Sequence, residues 1–436
     1  MPILALLPNS SKDLSSIPVE KNTPVSSNLR KALGPGLLVA CAAIGGSHLV
    51  WSTRAGAEFG WTLLGLILAA NLLKMPFFLY GQRYAAATGE SLLDGYYRKS
   101  PTCVWVFLGI NILTGTINIA AVSMLAGALL AGCGLALSVP TLTLGVIALC
   151  LALILLGHYR LLDGLAKTLI LLLALGTFAA VFLAFLNQPE TASTPTTLSP
   201  YTWASFAFLI SLLGWMPAPV DLSVWSSLWM FSRAKQTGHS ATVREAQFDF
   251  FLGYGMTTVL ALCFLALGAL VLFGSGQPLA AGGVAFSKQL VTLYTATIGE
   301  WSRWLILGAA FATMFSTSLT CIDGYTRSLA AACSLLAPSQ KNRLQSLQTL
   351  WLLLCCTGAA LIVLYCVKNL LTLLSFAAIV SFLTSPILAA INWSVMHGEN
   401  VPSEHRPGPI LNILSASGLL FFILMALGYI YLRIST

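Results

Sequence analysis

The stretch that decides the fold is Tyr201–Arg233, YTWASFAFLISLLGWMPAPVDLSVWSSLWMFSR. Two apolar halves flank Met216-Pro217-Ala218-Pro219. Prolines one residue apart remove two backbone donors, and an unbroken helix does not accommodate both. A bilayer crossing needs about 20 apolar residues, so the segment reads as two half-helices joined by unwound chain. A second stretch behaves alike. Ala32–Gly60, ALGPGLLVACAAIGGSHLVWSTRAGAEFG, carries the poor helix formers Gly45-Gly46-Ser47-His48 between two apolar halves. A shift of 174 residues lays Gly45 on Pro219, Ser47 on Asp221 and Val50-Trp51-Ser52 on Val224-Trp225-Ser226.

The rest of the chain supplies the setting. Of 436 residues 57% are hydrophobic and 8% charged, against about 25% charged in soluble domains. That excludes a soluble enzyme and a disordered chain. Apolar runs give eleven spans, near 33–59, 61–86, 103–130, 139–157, 165–187, 201–231, 248–273, 301–330, 347–367, 370–392 and 409–432. With the N-terminus cytoplasmic, sixteen of the 22 Lys and Arg fall on inner segments and five at outer ends, the bias of a multi-pass protein in the cytoplasmic membrane. The C-terminus is then extracytoplasmic. Breaks in spans one and six divide the chain into two inverted five-span repeats, 31–190 and 201–395, plus an eleventh helix at 408–434. A Ser- and Pro-containing cytoplasmic tail, 1–30, reads as disordered. Matching breaks in two repeats point to a transporter's binding site. The ten cysteines form no CxxC pair and read as packing residues.

Gly34-Pro35-Gly36, the break before Thr53–Trp61 (TRAGAEFGW), Ala87-Thr88-Gly89 and Met216-Pro217 resemble the Nramp (natural resistance-associated macrophage protein) family of divalent-metal transporters. The resemblance covers spans one to ten. It implies an all-α leucine-transporter-type fold with substrate held between the unwound parts of helices one and six. It also implies Asp-Pro-Gly-Asn at the first break and Met-Pro-His at the sixth, for metal ligation and proton transfer. This chain departs from both: Gly45-Gly46-Ser47-His48 stands at the first, and Ala218 follows Met216-Pro217 at the second.

Asp221, His48 and Met216 are a meagre ligand set for Mn²⁺ or Fe²⁺, although Mg²⁺, which keeps its waters, needs fewer ligands. A half-helix starting at mid-membrane instead offers bare N–H groups to an anion. Gly45, Gly46, Ser47 and His48, with Pro217, Ala218, Pro219, Asp221 and Ser223 across from them, therefore form the expected substrate site. Gly45-Gly46 also fits a close helix approach, and His48 a structural hydrogen bond to freed backbone. Lys74, inside span two, needs a partner or water. An anionic substrate, Asp221, a tethered-ammonium role in a vestigial cation site and snorkelling beside Pro76 are its options.

Span eight carries Thr313, Ser316, Thr317 and Thr320 on one face. With carbonyls from Cys41 to Ile44 these suit Na⁺, unless the hydroxyls bond their own helix. Asp323 pairs with Arg327 four residues on. Asn111, Thr114, Asn118, Ser381, Thr384 and Ser385 read first as polar contacts between helices, with a lining of the permeation path as the alternative, and Gly89–Arg98 as an interfacial helix. The expectation is a non-enzymatic, cofactor-free, monomeric symporter that touches lipid and no nucleic acid. It couples Na⁺ to a small inorganic anion, with bicarbonate first. The alternative is a divalent-cation transporter (Mn²⁺, Fe²⁺ or Mg²⁺), proton-coupled, using Asp221, Met216 and His48.

Overall fold

A computed structural model describes residue 29 and residues 31–435, apart from 157–158, 188–198, 274–279, 281, 338–342 and 367–368; for 159–170 only the backbone is described. The N-terminal segment 1–28 expected to be a tail lies outside the described residues. The chain is helical, with no strand among the described residues.

Span one comprises α1 (Pro35–Ala43), a π-helical turn (Ser47–Ser52) and α2 (Thr53–Phe59), bent by 47° at the break. Next come α3 (Leu64–Thr88), a short α4 (Leu92–Lys99), α5 (Pro101–Gly132), α6 (Val139–Leu156) and α7 (Tyr159–Leu186). Span six is α8 (Phe206–Trp215) and α9 (Leu222–Thr237), with the unwound prolines between them. Then follow α10 (Val243–Val271), α11 (Gly283–Ile298), α12 (Arg303–Leu336), α13 (Leu344–Leu361), α14 (Leu370–Val395) and α15 (Pro409–Ser435). Eight of these helices are long and apolar enough to cross alone, and the bent α1–α2 pair makes a ninth. Helix α7 and the α8–α9 pair occupy the two remaining places in the eleven-span order.

One element was not expected. Helix α11, between spans seven and eight, is too short to cross. It buries Phe286, Leu290, Leu293 and Tyr294, while Lys288 and Gln289 interrupt any apolar run. Helix α4 matches the interfacial helix at Gly89–Arg98. Its capping box joins Ser91 and Asp94 reciprocally, and Arg98 and Lys99 complement its C-terminal end.

Two pairs of glycines bring span one against α10. A Cβ on Gly36 would strike the Asp249 carbonyl, and one on Gly253 the Gly36 carbonyl. At the other half, Gly56 lies on the Leu265 carbonyl and Gly268 on the Thr53 carbonyl. Small residues let helix backbones touch in a membrane, where apolar burial gives no drive for association. Asp249 also caps α1: its carboxylate accepts the Gly34 N–H (3.0 Å) and the Gly36 N–H (2.5 Å). The Gly34-Pro35-Gly36 opening thus becomes a helix start held by a carboxylate at the positive end of the dipole.

Candidate functional site

The two breaks face each other around a buried cavity. Its wall includes Ala43, Gly46 and Ser47 from span one and Trp215, Pro217, Ala218, Pro219, Leu222 and Trp225 from span six. Asn118 of α5 and Thr317, Cys321 and Tyr325 of α12 complete it. About 30 Å³ is open to the centre of a water-sized sphere, room for about two waters and thus for a small ion.

The local chemistry follows from what each break leaves unpaired. At span one, the last carbonyls of α1 have no helical partner. The Thr317 hydroxyl donates to the carbonyls of Cys41 (3.0 Å) and Ile44 (3.1 Å). Beyond the break the helix restarts near Gly46, and the His48 and Leu49 N–H groups donate to the Gly45 carbonyl (3.1 and 3.0 Å). Ser47 donates its hydroxyl to the Ala43 carbonyl at 2.6 Å. A Cβ on Gly46 would press into the Trp215 ring, so only glycine lets the backbone reach this wall.

At span six the Met216–Pro217 peptide is cis, and Lys74 crosses from α3 to the break. Its ammonium donates to the carbonyls of Leu213 (2.6 Å), Gly214 (3.0 Å) and Ala218 (3.1 Å). The Asp221 carboxylate attracts it electrostatically. One Asp221 oxygen, Oδ1, is buried with no hydrogen-bond partner, and the Tyr325 hydroxyl interacts with the carboxylate. Asn118 ties this side together: its amide donates to Tyr325 Oη (2.6 Å) and Ser381 Oγ (3.1 Å), and its oxygen accepts from Trp215 Nε1 (3.2 Å).

Several expected site residues lie elsewhere. His48 is fully buried but turns to α10, with Nε2 2.8 Å from the Thr257 carbonyl and Nδ1 2.6 Å from Ser47 Oγ. The reason is the π-helical turn at Ser47–Ser52, whose extra residue per turn rotates side chains away from their α-helical phase. Gly45 packs on Thr317 and Met314, the close-approach role. Ser223 donates to the Val220 carbonyl (2.7 Å) and accepts from Asn392 (2.8 Å), away from the cavity wall. Asp221, Met216 and His48 of the alternative ligand set are not among the residues that line the cavity, and among the described residues no three His, Cys, Asp or Glu side chains gather as a metal cluster.

On α12, Thr317 alone of the four hydroxyls reaches the α1 carbonyls. Thr313 bonds the Ala309 carbonyl, and Thr320 those of Ser316 and Thr317. Ser316 is buried. Asp323 and Arg327 pair at 2.7 Å, and Trp229 Nε1 donates to the same carboxylate (3.1 Å). Asn118 and Ser381 bond across helices as expected, whereas Asn111 and Thr114 bond their own helix. Tyr325, Trp215 and Trp225 were missed. Tyr325 was legible, because Thr317, Cys321 and Tyr325 recur every four residues and continue the Thr317 stripe.

Opposed broken crossings around a buried cavity define a membrane transporter of the leucine-transporter fold. The family model described as natural resistance-associated macrophage protein-like matches residues 36–432, and the chain belongs to the Nramp family. It is 39% identical to an uncharacterized protein of Pasteurella multocida over 394 residues, 89% of each chain. It is 27% identical to the divalent metal cation transporter MntH of Lacticaseibacillus casei over 271 residues, 60% of this chain and 59% of that one. The backbone is similar to a crystal structure of a manganese transporter mutant of Eremococcus coleocola, with TM-score 0.66, 16% identity and coverage of 95% and 90%. It is also similar to MhsT in complex with L-phenylalanine, with TM-score 0.51, 14% identity and coverage of 90% and 98%.

Proposed function

We propose that the chain is a secondary active transporter that moves a small inorganic ion across the cell membrane through the cavity between the two breaks. Its repeats are 31–190 and 201–395, and its N-terminus is cytoplasmic. Two substrate readings compete. Kinship favours a divalent metal cation: relatives such as MntH carry that description, and the unpartnered Asp221 oxygen is a hard ligand for it.

The cavity chemistry favours a small anion, with bicarbonate first, and on geometry this is the reading we adopt. The observation that carries it is the Lys74 ammonium on the span-six carbonyls. It fills the oxygen set that a bare cation would take and offsets the charge of Asp221. Gly46 and Ser47, where a helix restarts, lie on the cavity wall, and a helix start suits an anion. Thr317 Oγ with the Cys41 and Ile44 carbonyls gathers neutral oxygens at one point, a ligand type that suits Na⁺ as the driving ion.

Uptake into proteoliposomes decides between the readings. Radiolabelled bicarbonate is expected to accumulate under an inward sodium gradient and not without one, while Mn²⁺ is excluded. Saturable Mn²⁺ uptake that disappears in Asp221→Ala, with no bicarbonate uptake, overturns the anion reading in favour of the metal.

A further inference from the structure

In an unbroken helix the Leu213 carbonyl accepts from residue 217 and the Gly214 carbonyl from residue 218. Residue 217 is proline, which has no N–H, and at Met216 the backbone is already extended (φ −92°, ψ 111°). The Ala218 carbonyl is left out on the other side. The first N–H groups of α9 bond one residue further along, Leu222 to Pro219 (3.3 Å), Ser223 to Val220 (3.1 Å) and Val224 to Asp221 (2.9 Å). Unwinding therefore lays bare the Leu213, Gly214 and Ala218 carbonyls, and these three meet at one atom, Lys74 Nζ.

An ammonium has three N–H donors and no acceptor, so this one is fully used. It is completely buried, with Asp221 as its electrostatic counterpart. Three carbonyl oxygens at 2.6–3.1 Å from a desolvated cationic centre, beside one carboxylate, are the surroundings of a bound monovalent cation.

We propose that the unwound stretch of span six is a monovalent-cation site whose resident cation is the Lys74 ammonium, delivered on a tether from α3. The site needs no free ion while the tether is intact. Cutting the tether opens it to a free cation of similar size and hydrogen-bonding capacity. The proposal does not depend on which substrate crosses the membrane, and its test uses no transport.

The test is thermal unfolding of the purified full-length protein in detergent, in equal concentrations of sodium, potassium, ammonium and N-methylglucamine chloride. The wild type is expected to unfold at one temperature in potassium, ammonium and N-methylglucamine, any rise in sodium belonging to the separate oxygens at Thr317. Lys74→Ala is expected to unfold about 5 °C lower or more in N-methylglucamine and to regain at least half of that loss, saturably, in ammonium or potassium. The same Tm for Lys74→Ala in potassium, ammonium and N-methylglucamine overturns the proposal, whatever sodium does. Lys74→Arg keeps the charge but presents a planar fork instead of a compact head, and it provides the second arm if Lys74→Ala does not fold. Its Tm is expected to fall below that of the wild type in every salt, and a wild-type Tm for Lys74→Arg overturns the proposal equally.

Discussion

The two broken crossings solve one problem with different chemistry. In span one the carbonyls of Cys41 and Ile44 are met by a neutral hydroxyl, Thr317. In span six the freed carbonyls of Leu213, Gly214 and Ala218 are met by a charge, Lys74. The contrast follows from what makes each break. Gly45-Gly46 merely weakens a helix, and the chain restarts within a few residues. Pro217 and Pro219 delete donors outright, so several carbonyls need one multivalent partner. A neutral satisfier can be exchanged for an ion at small electrostatic cost, whereas a buried ammonium cannot leave without stripping three carbonyls of their donor.

The largest effect should come from removing that charge. Lys74→Met is expected to destabilise the protein by about 3–5 kcal/mol, the cost of leaving three buried carbonyls without their donor, read as loss of monodisperse protein or a large drop in Tm. Thr317→Val should cost about 1–3 kcal/mol through the hydroxyl donor lost at the α1 carbonyls and abolish any sodium dependence of uptake. Equal losses for these two variants would erase the distinction between the breaks. Pro217→Ala sharpens it. A restored N–H at 217 competes with Lys74 for the Leu213 carbonyl, so transport is expected to fall several-fold while Tm stays within about 1 kcal/mol equivalent. Thr313→Ala should be nearly silent in uptake and within about 0.5 kcal/mol in stability, because its hydroxyl bonds its own helix.

Much of this was legible in the sequence. The paired prolines and the Gly-Gly-Ser-His run mark both breaks, and the long apolar runs give the order of crossings. Lys74 announces itself as a mid-span charge that needs a partner. That its partners are carbonyls was not legible, because they lie about 140 residues away on another helix. Side-chain direction after a break was the weakest inference. The π-helical turn turned His48 to Thr257, and the α9 start left Ser223 against Val220 and Asn392. Rotational phase across unwound chain is set by tertiary packing, and the spacing of residues carries no record of it.

The reciprocal glycines also bear on motion. Both halves of span one are seated backbone to backbone on the same unbroken rod, α10, at Gly36–Gly253 and Gly56–Gly268. Among the described residues span six shows no such splint: Gly214 of α8 abuts the Ala378 carbonyl of α14, while α9 meets Gly81 of α3 through the Ser223 carbonyl. Flexing is therefore expected at the proline joint, with the first crossing and the seventh moving as one piece. Spin labels on α1 and α10 should hold a constant separation through the cycle while labels on α8 and α9 change theirs; a changing α1–α10 distance would refute this division of labour.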